Sequence, residues 1–210
     1  MSKNHGKLFV IAAPSGAGKT SLVKAILGIE PSVQVAISHT TRQRRPEEKS
    51  GINYFFISEQ EFHRMRTEDQ FIESANVFGN LYGTSRAEVN RILDSNQDLI
   101  LEIDWQGAIQ IRQSQTAAIG IFILPPSVES LRNRLLQRAQ DDSETIEQRM
   151  AAAIDEMSHY HEFDYLIIND DFDTALMEIR DILHDKGREL KTSIQSQRYA
   201  TLIAELLPKS

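Results

Sequence analysis

An α/β fold, a parallel sheet covered by helices on both faces, is predicted by three observations. Short apolar runs alternate with helical patterns along most of the 210 residues. Most of those runs are continuous, as in strands buried on both faces. A glycine-rich loop joins the first run to the first helix, which is where an open α/β sheet places a ligand.

The elements follow in order. Leu8–Ala12 reads as the first strand, and the pattern through Leu22, Val23, Ile26 and Leu27 as the first helix. Val33–Ile37, Tyr54–Ile57, Leu99–Ile103, Gly120–Leu124 and Tyr165–Ile168 are the further strand candidates. Ser85-Arg86-Ala87-Glu88 has the form of a capping box and opens a helix to about Leu93. Ser127 follows Pro125-Pro126 and caps a helix through Leu136. Glu144–Met157 and Thr174–Leu183 are two more helices, and from Asp185 a polar loop leads to a final amphipathic helix. Two segments break this rhythm. Residues 38 to 84 are rich in Arg, Thr, Tyr and Glu, and residues 136–150 are polar. Both read as insertions into one domain whose core is 1–37, 85–135 and 151–210.

The loop is Ala13-Pro14-Ser15-Gly16-Ala17-Gly18-Lys19-Thr20. Strand, glycine-rich turn, Lys-Thr and helix make up a phosphate-binding loop, whose backbone N–H groups point inward at phosphate oxygens. Gly16 and Gly18 supply the backbone freedom this needs. The helix adds its positive dipole end. Lys19 would reach the β- and γ-phosphates and the Thr20 hydroxyl would ligate Mg²⁺. Ala13 stands where the general pattern has Gly, so a negative φ is required there.

Composition narrows the class. With 40% hydrophobic and 25% charged residues the chain can bury a core of its own. There is no cysteine, which excludes disulfides and thiolate metal sites and makes a reducing cytoplasm the expected compartment. No apolar stretch approaches the ~20 residues a membrane span needs, and no cleavable leader is expected. The net charge of −7 argues against nucleic acid as partner. The basic residues cluster instead, at Arg42, Arg44, Arg45 and Lys49 and at Arg132, Arg134, Arg138 and Arg149, which suits a small polyanion. Arg42 and Arg45 sit three apart before Pro46 and can face one anion, with Tyr54 and Tyr82 as hydroxyl donors. His159 and His161, two apart on a helix, face away from each other and read as surface residues. His39 reads as structural and Trp105 as packing.

Beside the loop stand Ser38-His39-Thr40-Thr41-Arg42-Gln43-Arg44-Arg45-Pro46, Gly51-Ile52-Asn53-Tyr54-Phe55-Phe56 and Phe71-Ile72-Glu73. Then come Gly79-Asn80-Leu81-Tyr82-Gly83-Thr84-Ser85, Leu101-Glu102-Ile103-Asp104-Trp105-Gln106-Gly107 and Ile167-Ile168-Asn169-Asp170. In this order and spacing the chain resembles the guanylate kinase family from about residue 7 to 185. The resemblance implies a P-loop NTPase core, a GMP-binding insertion at 38–84 and a mobile lid at 136–150. It implies transfer of a phosphoryl group from ATP to GMP with Mg²⁺, no general base, and alignment and charge neutralisation as the source of rate.

The resemblance also implies residue roles. Arg42, Arg45, Tyr54 and Tyr82 would hold the GMP phosphate, and Glu73, Thr84 and Ser38 the guanine. A carboxylate at Glu73 accepts both donors of the guanine Watson–Crick edge, and adenine offers no such pair. Glu102, counted with the GMP-binding residues, and Asp104, offered to Mg²⁺ through water, end a strand where a carboxylate can bind the metal or orient an arginine; many relatives have Asp at the Glu102 position. ATP would lie on residues 13–20 with Arg134, Arg138 and Asn169, and Lys19, Arg45, Arg138 and Arg149 would carry the charge of the transfer. Arg138-Ala139 replaces the Arg-Gly pair common at the entrance to the lid. The resemblance leaves a homo-oligomer open. Two other readings stay in play: a kinase for AMP, dTMP or a sugar phosphate, and a protein-binding module of the same fold without catalysis. The retained Gly18-Lys19-Thr20 speaks against the second.

Overall fold

The structure, a computed structural model, describes residues 5–77, 79–114, 117–138 and 143–207, without the side chains of 137, 138 and 143–146. It is an α/β fold of parallel strands flanked by helices. The chain divides into two compact units, residues 1–9 with 31–118 and residues 10–30 with 119–210. The first strand, β1 (Leu8–Ala12), is buried at every residue and gives its first two residues to one unit and its last three to the other.

In the unit of residues 10–30 and 119–210, β8 (Ile119–Leu124) and β9 (Tyr165–Ile168) pair in parallel from Ile121↔Tyr165 to Leu124↔Ile168. Around them lie α1 (Lys19–Ile29), α5 (Val128–Arg138), α6 (Ser143–Ser158) and α7 (Phe172–Leu183). The Ser127 hydroxyl caps α5 by accepting the Ser130 N–H at 3.0 Å, as its sequence context predicts. Asp171 caps α7 through the Thr174 N–H at 2.8 Å. Glu30 closes α1 and pins it to α7: its buried carboxylate accepts from Arg180 Nε at 2.6 Å and faces His184 Nε2 at 3.0 Å. Those two partners hold it below the usual carboxylate range. The C-terminal segment is two helices, α8 (Thr192–Arg198) and α9 (Ala200–Leu206), where the sequence suggests one; Tyr199 ends the first and precedes the second.

In the unit of residues 1–9 and 31–118, β2 (Val33–Val35) runs parallel to β7 (Asp98–Glu102), with Val33↔Asp98 and Val35↔Ile100 in register. β2 stops before Ile37 because the chain leaves the sheet after a last bond from Ala36 N–H to Ile100 C=O. A second sheet of four strands, ordered β4-β3-β6-β5, occupies residues 39–85. β3 (His39–Thr40) pairs in parallel with β4 (Phe55–Phe56) and antiparallel with β6 (Asn80–Ser85). β5 (Phe71–Val77) and β6 form an antiparallel pair with a bulge between Phe71 and Glu73. That bulge interrupts the period-two alternation and hides β5 from pattern reading. α2 (Glu59–Thr67), capped by Ser58, lays buried Phe62 and Met65 on Phe71. α3 (Arg86–Asp94) follows its capping serine, Ser85, which accepts the Glu88 N–H at 3.4 Å. α4 (Trp105–Ser114) begins where Asp104 Oδ1 accepts the Gly107 N–H at 2.8 Å.

Candidate active site

The loop of residues 13–20 has the expected conformation. Gly16 and Gly18 sit at φ +92° and +95°, in the left-handed region that favours glycine. Ala13 is not among the positive-φ residues, so alanine fits where the general pattern has glycine. The loop closes on itself through Ala17 N–H to Pro14 C=O at 3.1 Å, and α1 begins directly after Gly18. Lys19 and Thr20 therefore occupy the first turn of α1, whose N-terminal amides and dipole favour an anion.

The loop is gripped from its own unit. Leu131 and Leu135 of α5 back Gly16 so closely that a Cβ there would lie 3.0 Å from Leu131 Cδ1. Asn169, buried at the end of β9, donates its Nδ2–H to Ala17 C=O at 2.6 Å. Arg134 donates to Ala17 C=O at 3.4 Å and to Asn169 C=O at 3.2 Å. A Cβ on Gly18 would run into the Asn169 amide. Arg134 and Asn169, two of the three residues expected beside the loop around ATP, thus brace its backbone. Arg149 lies half-buried on α6. The side chain of Arg138, and Ala139 with the middle of the expected lid, lie outside the described residues.

The other half of the expected site is assembled on the second sheet. The bulge in β5 puts Glu73 opposite Thr84, and both are buried. Thr84 Oγ1 donates to Glu73 Oε1 at 2.6 Å, and Ser38 Oγ lies 3.3 Å from Thr84 Oγ1. Gly107 of α4 makes room for this carboxylate, since a Cβ there would lie 2.6 Å from Glu73 Oε2. Burial pushes the Glu73 carboxyl up to about 7; the Asp104 charge adds to the rise and the Thr84 bond opposes it.

Arg42, Tyr54, Tyr82 and Glu102 form the neighbouring cluster. The Tyr54 and Tyr82 rings meet edge to face at 5.9 Å, and the Arg42 guanidinium carbon lies 5.5 Å from the Tyr54 ring centre. Burial raises the Tyr54 phenol to about 12, with the Glu102 charge adding to it, so Tyr54 remains a donor at neutral pH. Arg42 Nη2 donates to Glu48 Oε1 at 2.7 Å, and the backbone N–H of Arg45 donates to Glu48 Oε2 at 2.9 Å. Arg42 holds Glu48 below the usual carboxylate range. The Arg45 side chain stands exposed on the turn. Glu48 escaped sequence reasoning; its signal was an acid pair, Glu47-Glu48, directly after an Arg-x-x-Arg-Pro turn.

The remaining expectations have plain structural outcomes. His39 stacks on Phe55 at 4.8 Å and meets Phe71 at 5.5 Å. His159 pairs with Glu162 at 2.6 Å and His161 Nδ1 faces Ser158 C=O at 2.8 Å. Among the described residues no group of three or more His, Asp or Glu could hold a metal ion, and no helix is long and apolar enough to cross a membrane.

A strand-loop-helix anion site with Lys-Thr, and a buried carboxylate beside an arginine and two tyrosines, define a P-loop enzyme of the nucleoside monophosphate kinase class. The model of the guanylate kinase family matches residues 5–186. A guanylate kinase of Pseudomonas fluorescens is 51% identical over 207 residues, 99% of this chain and 100% of that one. One from Escherichia coli K12 is 52% identical over 205 residues, 97% of this chain and 98% of that one. The crystal structure of guanylate kinase from Anaplasma phagocytophilum superposes with a TM-score of 0.73 at 30% identity, covering 94% of this chain and 96% of that one. The chain belongs to the guanylate kinase family, and its activity is that family's phosphoryl transfer to a nucleoside monophosphate.

Proposed function

We propose that this chain transfers the γ-phosphoryl group of ATP to the phosphate of GMP, giving ADP and GDP, with Mg²⁺, in the cytoplasm. The observation that carries the choice of GMP is the buried Glu73–Thr84–Ser38 chain. A carboxylate held there would accept N1–H and N2–H of guanine as a pair. Adenine would present a lone pair to it, and the buried acid would lose its partners. Ser38 and Thr84 supply hydroxyls toward the purine, and Arg42, Arg45, Tyr54 and Tyr82 take the GMP phosphate. On that reading Glu48 must yield part of its hold on Arg42 when a dianion arrives.

ATP is assigned to residues 13–20, with Lys19 on the β- and γ-phosphates and Arg138 and Arg149 as further charges at the transfer. Arg134 and Asn169 serve ATP by bracing the loop, as their bonds to Ala17 suggest. The residues offered to Mg²⁺ are hard oxygen donors, the Thr20 hydroxyl and, through water, the Asp104 carboxylate, one of whose oxygens already caps α4. Bound Mg²⁺ would neutralise phosphate charge. The acceptor is already an anion at neutral pH, so the protein's own task is to hold two anions in line, exclude water and leave no base to position. A coupled ADP-release assay over the common nucleoside monophosphates tests this reading: GMP is expected to be the preferred acceptor, and a preference for AMP or dTMP would overturn it.

A further inference from the structure

The phosphate-binding loop is held by a third polar side chain that belongs to no motif of the sequence. Glu156 Oε2, on α6, accepts the backbone N–H of Ser15 at 3.0 Å. The buried stripe Met150, Ala153 and Met157 fixes which way α6 faces, so the half-buried Glu156 is presented to the loop by a packed helix. The loop is thus held at two points. Ser15 N–H is tied to α6, and two residues on, Ala17 C=O is tied to Asn169 and Arg134. The bond to Ser15 is charge-assisted, about twice as strong as a neutral one.

The geometry separates this carboxylate from the phosphates. Pro14 C=O and Ala17 N–H close a turn in which Ser15 is the second residue. The N–H at that position points away from the turn's interior, whereas the amides entering α1 are those the macrodipole turns toward an anion. Arg149 lies seven residues before Glu156, two helical turns away on the same side of α6. One rigid helix therefore carries a positive charge assigned to the ATP phosphates and the acceptor that fixes the loop.

We propose that Glu156 is a positioning residue for the transfer, fixing the Ser15 amide and with it the register between the loop and α6. The proposal rests on the assignment of ATP to the loop. Its test is a pair of variants of the intact chain, Glu156→Ala and Glu156→Gln, with ATP and GMP varied separately and the Ser15 amide exchange rate followed by NMR. Glu156→Ala is expected to lower kcat about tenfold and raise the KM for ATP several-fold, with the KM for GMP unmoved. Glu156→Gln keeps an oxygen acceptor and is expected to recover to within about threefold of the parent. The Ser15 amide should be protected in the parent and in Glu156→Gln, and exposed in Glu156→Ala. Tighter ATP binding in Glu156→Ala would show the carboxylate to be a competitor of the phosphates and overturn the proposal, as would unmoved ATP parameters. If Glu156→Ala does not fold, an unprotected Ser15 amide in the parent would overturn it by itself. Lys19→Ala separates the two readings: retained turnover there would remove ATP from the loop, whereas lost turnover with an inert Glu156→Ala would sink the role of Glu156 alone.

Discussion

The loop of residues 13–20 and the cluster spread over residues 38–104 are assigned the same group, a phosphate, and would hold it by opposite means. The loop offers main-chain amides and a helix end, fixed by two left-handed glycines and by side chains that bond to its backbone. Its positive field is part of the fold, and only Lys19 adds a removable charge. The cluster offers side chains with acids set among them: Glu48 bonds to Arg42, Glu102 lies near Tyr54, and the buried acid Glu73 has a second acid, Asp104, near it. Main-chain donors recognise any polyphosphate. Choice of the base has to come from side chains, and so it falls on the half that is chargeable, titratable and open to substitution.

The sharpest break between the halves is expected from Lys19→Ala. Removing the one mobile charge of the loop should cut turnover by about 10²–10³-fold or more, while GMP binding, measured by calorimetry without ATP, stays as it was. A proportional loss of GMP affinity would mean that the halves are not chemically separate. Next comes Glu73→Gln. The amide keeps the shape but turns one acceptor into a donor facing guanine, and preference for GMP over AMP should fall about 10²-fold with the ATP parameters unmoved. Gly107→Ala follows. Its Cβ would lie 2.6 Å from Glu73 Oε2, so the carboxylate must shift, and a rise of about tenfold in the KM for GMP is expected. Alanine at Gly107 with unchanged GMP kinetics would show that Glu73 does not have to stand where it does.

The two halves also differ in how much of them could be read beforehand. The loop is eight consecutive residues between a strand and a helix, so local rules reach it entirely, including the left-handed glycines and the tolerance for Ala13. The strands Leu8–Ala12 and Tyr165–Ile168 were equally plain, because each is a continuous apolar run. The second sheet was not. β5 reads Phe-Ile-Glu-Ser-Ala-Asn-Val, and its bulge sends Glu73 into the interior where alternation would not put an acid. β3 is two residues long and exists only through its partners Phe55, Phe56, Gly83 and Tyr82. Glu73 and Thr84 were reached through family resemblance, not periodicity. Glu48, Gly107 and Glu156 were missed because their roles are tertiary: they act on a guanidinium, a carboxylate and an amide brought near by the fold.

The smallest expected effect is also the most diagnostic of the chargeable half. Glu73 titrates near 7 because burial disfavours its charge, so on the proposed assignment it would accept from guanine above that pH and carry a proton on that edge below it. GMP would then select the charged form. In kcat/KM for GMP, which reports the free enzyme, the value should fall about fourfold from pH 8 to pH 6.5. The sign for stability is the reverse. The folded chain holds the Glu73 proton to higher pH than the unfolded chain, so this group's contribution to stability declines as pH rises from about 4.5 to about 7. An acid placed for structure alone would be best left neutral; one that weakens the fold at neutral pH while strengthening guanine binding is placed for the ligand. The phosphate of GMP also titrates in this range, so the control is the same profile in Glu73→Gln, which should lose the Glu73 component and keep the phosphate's. Parallel profiles in the two proteins would place the titration on the substrate, and the difference between the halves would then rest on geometry alone.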